Sequence, residues 1–105
     1  MPVVPGRLVH ESEIDNAVLR AQQSLGPDVV RIRYGFDEDW TGEPSIFFRV
    51  LLTNAASESP ELGELVERIR WDVQQEVKPD ELGLHAYFNF RNESEQADLR
   101  DPAWA

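Results

Sequence analysis

Three stretches of the chain alternate between apolar and polar residues, and two others repeat at helical spacing. In Val29–Asp37 the apolar positions are Val30, Ile32, Tyr34 and Phe36. In Ser45–Thr53 they are Ile46, Phe48, Val50 and Leu52, and in Leu84–Arg91 they are Leu84, Ala86, Phe88 and Phe90. Successive side chains on a strand point to opposite faces, so each stretch predicts a strand with one apolar face. Between and before them run two stripes at the spacing of a helix: Ile14, Ala17, Val18, Ala21, Leu25, and then Leu62, Leu65, Val66, Ile69, Val73, Val77. Ser12, with Asp15 three residues on, predicts the start of the first helix, and Gly26-Pro27 its end. Ser59-Pro60 reads as cap and first turn of the second, which must stop before Pro79. Asn54–Ser59 reads as a polar connection, and Asp37–Pro44 as the acidic, turn-rich loop of a hairpin.

The expected order is α-β-β-α-β, an α+β fold in which two helices cover the apolar face of an antiparallel or mixed sheet of three to four strands. A strand at residues 3–9 would complete the ferredoxin-like order β-α-β-β-α-β. Pro5-Gly6 would then sit in a central strand, where proline is poorly tolerated, and this favours three strands. Residues 1–91 form one domain on this reading, and 92–105 an acidic C-terminal tail with Leu99 and Trp104 as its large apolar residues.

The second face of the strands is the unusual one. It collects Arg31, Arg33, Arg49 and Arg91 together with Phe47, Leu51, His85, Tyr87 and Asn89. Guanidinium groups fork onto phosphate and aromatic rings stack on bases, so the face suits a nucleotide or single-stranded RNA. No strand carries the RRM signature. The same face is compatible with a protein partner, with a homodimer that buries Phe47 and Leu51, or with a cover formed by the chain's own tail, whose Glu93, Glu95, Asp98 and Asp101 complement arginine.

Charge shifts the balance between these readings. The chain has 20 acids against 10 bases, a net charge of −10, and without the four sheet-face arginines 6 bases remain, a net −14. An acidic body repels nucleic acid at long range and attracts basic proteins. Nine of the ten bases are arginine, the residue suited to planar, bidentate contacts.

Catalytic chemistry finds little support. Cysteine is absent, which removes disulfides, thiolate metal sites and a cysteine nucleophile. No Gly-x-Ser-x-Gly elbow and no glycine-rich phosphate loop occur. The spacing Asp37, Asp39, Thr41 opens like a calcium loop, but the twelfth position is Phe48 in place of a glutamate, and the flanks read as strands. His85 lies on the same face as Tyr87, without a nucleophile or carboxylate marked as its partner. No metal or cofactor is expected. Trp40 in the acidic loop, and Leu99 and Trp104 in the tail, are candidate anchors for a partner; the alternatives are that Trp40 tucks onto the edge of the core and that Leu99 and Trp104 fold back onto their own domain, onto Trp71 or across the sheet. With no long apolar run and no secretory leader, a cytoplasmic location is expected.

Two runs, Glu38-Asp-Trp-Thr-Gly-Glu-Pro-Ser-Ile-Phe-Phe48 and Ser94-Glu-Gln-Ala-Asp-Leu-Arg-Asp-Pro-Ala-Trp104, resemble those of small uncharacterised bacterial proteins. Such proteins resemble antitoxin or accessory partners of toxin–antitoxin pairs. The resemblance implies a non-catalytic protein that acts by binding. No Gly-Ser dipeptide occurs, so the nucleotidyltransferase variety of antitoxin is not implied. The expected function is therefore an acidic protein-binding module, antitoxin- or inhibitor-like, with nucleotide or RNA binding on the arginine face as the alternative.

Overall fold

The computed structural model describes the backbone of residues 7–105 and the side chains from Glu11 onward. The elements in chain order are α1 (Arg7–Leu25), β1 (Val29–Glu38), β2 (Pro44–Leu52), α2 (Asn54–Glu58), α3 (Leu62–Val77), β3 (His85–Asn92) and α4 (Glu93–Leu99). Short 3-10 turns follow α3 at Pro79–Leu82 and α4 at Pro102–Trp104.

The fold is α+β with a three-stranded mixed sheet in the order β1-β2-β3. β1 and β2 form the antiparallel hairpin, and β3 returns parallel to β2 after the helical crossover. A ferredoxin-like sheet would place a strand between those two. Here Phe48 pairs with both Tyr34 and Phe88, so the sheet is the three-stranded alternative. Pro5-Gly6 lies outside the described residues, and 7–9 belong to α1. The helix is thus already formed five residues before Ser12. A Ser-x-x-Asp pair is a weak start signal, and no glycine or proline between Arg7 and Glu11 opposes the helix.

The apolar stripes meet on one side of the sheet. Ile14, Ala17, Val18, Ala21 and Leu25 of α1 and Ile69, Val73 and Val77 of α3 bury against Ile32, Ile46, Phe48, Val50 and Leu52. Phe48 stacks on Phe88 at 4.9 Å, which extends this core onto β3. Arg20 and Glu76 bridge α1 to α3 at 2.9 Å. Arg68 donates to the Leu25 carbonyl at the end of α1, 3.2 Å away.

Two segments expected to be irregular are helical. Thr53 caps α2 by accepting a hydrogen bond from the Ala56 amide at 3.1 Å, so Asn54–Glu58 is a short helix, and α3 starts two residues later than Ser59-Pro60 implies. Asn92 and Glu95 form a reciprocal capping box, which turns the start of the tail into α4.

Candidate functional site: the arginine and aromatic face

The face opposite the two long helices is built in rows by the strand register. Arg31, Leu51 and Arg91 stand opposite one another; then Arg33, Arg49 and Asn89; then Gly35, Phe47 and Tyr87; then Asp37, Ser45 and His85. The expected gathering of the four arginines is therefore real, but the expected open face is not.

The chain's own C-terminal segment covers the first row. From α4 it turns back, and the Pro102–Trp104 turn packs on β2. Trp104 is 5% exposed, and Leu51 beneath it only 2%. Arg31 Nε donates to the Trp104 carbonyl at 2.9 Å, and Arg33 Nε to the Ala105 main-chain oxygen at 2.7 Å. Arg91 lies 4.4 Å from the centre of the Trp104 ring and donates to Gln96 at 3.1 Å and Asp101 at 3.4 Å. Asp101 also caps the turn by accepting from the Ala103 amide. The tail is thus a structural part of the domain, and of the two readings of Trp104, an anchor for a partner or a residue folded back across its own sheet, the structure has the second. Burial of its ring and hydrogen bonds donated by two arginines to main-chain oxygens hold it there. Leu99 does stay at the surface, on α4, at 60% exposure.

Beyond the tail, the face carries an aromatic ledge. Phe47 and Tyr87 stack at 5.2 Å, and Trp40, from the hairpin loop, sits 5.4 Å from Tyr87 on the next position. Asp39 organises this arrangement. Its Oδ1 accepts from the Thr41 hydroxyl at 2.6 Å and from the amides of Thr41 and Glu43, and its Oδ2 accepts from the Tyr87 hydroxyl at 2.7 Å. The Thr41 hydroxyl first, and then the Tyr87 hydroxyl and the amides, hold the Asp39 carboxyl well below the usual carboxylate range. The same bond to Asp39 pushes the Tyr87 phenol up. This carboxylate is spent on the donors of its own loop, which is a tight turn built on Asp39 and Gly42.

Arg49 lies between tail and ledge. Among the described residues it makes no hydrogen bond and no ion pair. Its guanidinium rests over Gly35, where a β-carbon would stand 3.1 Å from Nη1 and 3.3 Å from Nη2. Glycine leaves room for this crossing, so the charge reaches from its own row into the row of Phe47 and Tyr87. His85 is exposed and makes no hydrogen bond among the described residues. No group of histidine, cysteine or carboxylate side chains there is arranged to hold a metal ion.

Sequence reasoning placed Asp39 only among the turn residues of the loop, and it missed Gln22. Asp39 is the residue that fixes Trp40 and Tyr87, and its spacing to Thr41 and Gly42 marks an Asx turn. Gln22 caps the outer edge of β1, donating to the Val30 carbonyl at 3.3 Å and accepting from the Ile32 amide at 3.1 Å. Nothing local distinguishes this glutamine from its neighbour Gln23. Comparison with protein-family models, with curated proteins and with solved structures finds no match.

Proposed function

We propose that this chain is a non-catalytic protein-binding module, inhibitor- or antitoxin-like, that acts by forming a complex with a basic protein. The observation that carries this reading is Trp40. It is 82% exposed, yet it is held by the Tyr87 ring and by a loop whose turn Asp39 fixes. A large aromatic presented in a fixed position loses little conformational freedom on binding, which is the property of an interface anchor. Asp37, Glu38, Asp39 and Glu43 surround it in the loop, and the net charge of −10 steers basic partners toward it. A second copy of the chain docking through the arginine rows would have to displace Trp104 first, which makes the loop the more accessible surface.

The test is to titrate the purified protein with the products of its neighbouring genes, comparing wild type with Trp40→Ala. The reading requires a basic partner whose affinity falls by at least about tenfold in the variant, the scale of an interface anchor, and also falls with added salt. A complex indifferent to Trp40, or no complex with any of them, would overturn it.

A further inference from the structure

The sheet face also carries a positive pair to which the fold brings no acidic side chain. Arg33 and Arg49 are direct cross-strand partners on β1 and β2. Like charges placed opposite one another destabilise a sheet. The chain holds 20 acidic side chains, twice its bases, and among the described residues none comes within hydrogen-bond or ion-pair distance of either arginine. The contrast with Arg91 is direct, since that residue has Asp101 and the Trp104 ring. Arg33 gives its Nε to the Ala105 oxygen, which leaves its two terminal nitrogens to point elsewhere. Arg49 donates no hydrogen bond among the described residues. Asn89 completes the row on β3, with an amide able to donate.

Next to this pair the register sets Gly35 beside Phe47. Gly35 has no side chain, and the Arg49 guanidinium occupies the space above it, in the same row as the Phe47 ring, which is itself stacked on Tyr87. We propose that Arg33 and Arg49 bind the phosphate of a phosphate monoester whose planar ring rests against Phe47, as a nucleoside monophosphate would. Two arginines recognise a phosphate's oxygens by forked, charge-assisted hydrogen bonds, and Phe47 supplies the stacking surface. The anion relieves the repulsion between the arginines, so binding gains from a cost already present in the free protein.

The experiment is calorimetric and fluorescence titration of the full chain with adenosine monophosphate, with inorganic phosphate and with adenosine, on wild type, Arg49→Ala and Arg49→Lys. The nucleotide is expected to saturate and to weaken with salt. Each fragment alone should bind at least about tenfold less tightly, and Arg49→Ala should lose at least about tenfold, with Arg49→Lys in between because a point charge does not fork. Melting temperature is the second readout: Arg49→Ala should melt no lower than wild type, since it removes a like-charge pair. The proposal is overturned if the nucleotide does not bind. It is equally overturned if inorganic phosphate binds as tightly as the nucleotide, or if Arg49→Ala lowers the melting temperature and leaves binding unchanged. No protein partner is needed, so either outcome leaves the docking of a basic protein on Trp40 to be judged separately.

Discussion

Arg91 and Trp104 meet across the sheet face, guanidinium to ring centre, at 4.4 Å. The contact joins the last strand to the last turn of the chain. It converts a segment that reads as an acidic tail into a cover over the part of the sheet face where Leu51 is buried. Three of the four sheet-face arginines are engaged by that cover, and only Arg49 is left unengaged.

Trp104→Ala should therefore be among the more damaging single changes outside the main core. Truncating a buried tryptophan costs about 3–5 kcal/mol, a large part of the stability of a domain this size. Urea unfolding measures it. The same variant should bind a polyanion such as heparin more tightly at low salt, because Arg31, Arg33 and Arg91 lose their cover. Unchanged stability would show that the tail only rests on the sheet.

Gly35→Ala tests the crossing of Arg49. The backbone of Gly35 is not in the left-handed region, so alanine is conformationally acceptable there. The new β-carbon would stand 3.1 Å from Nη1, the far end of a flexible side chain, which can yield. Stability is expected to change by less than about 1 kcal/mol. Binding of the nucleotide should fall, because the guanidinium is pushed out of the Phe47 row.

The two tyrosines of the chain should both ionise late. Burial, and then the hydrogen bond to Asp15, pushes the Tyr34 phenol well up, and the bond to Asp39 raises Tyr87. Both protonated forms are favoured by folding, so this stability is complete below the ordinary phenol value of about 10 and is lost as pH rises through the raised folded values. Absorbance at the tyrosinate band should rise later for native protein than for protein in urea. Asp39 works at the opposite end. Its carboxyl is lowered, so its contribution is present above the unfolded value of about 4 and is lost as pH falls through the folded value. Asp39→Asn should bring the Tyr87 titration back toward the ordinary range.

Gln22→Ala should open the outer edge of β1. Loss of the two hydrogen bonds to Val30 and Ile32 costs about 1–2 kcal/mol by equilibrium unfolding. An uncapped edge strand invites pairing with other chains, so light scattering on mild heating should rise sooner than in wild type.

The local pattern by itself determined the three strands, the two long helices and the partition of residues between the faces of the sheet. A period of two or of 3.6 is written in neighbouring positions, and the burial of Ile46, Phe48, Ile69 and Val73 follows from it. The signal for α4 was equally local, in Asn92 and Glu95, and so was the Asx turn at Asp39. Tertiary structure decided what the second face presents. That β3 runs parallel beside β2 fixes Arg91 across from Leu51. The bonds from Arg31 to Trp104 and from Arg33 to Ala105 then join residues more than 70 positions apart. No local pattern encodes such pairings, because they depend on register, on the chain's reversal after Asn92 and on the fit of one indole over one leucine. For the same reason the four arginines, indistinguishable by alternation, end in different roles: three close the fold on itself, and Arg49 lies over Gly35 with no ion-pair partner among the described residues.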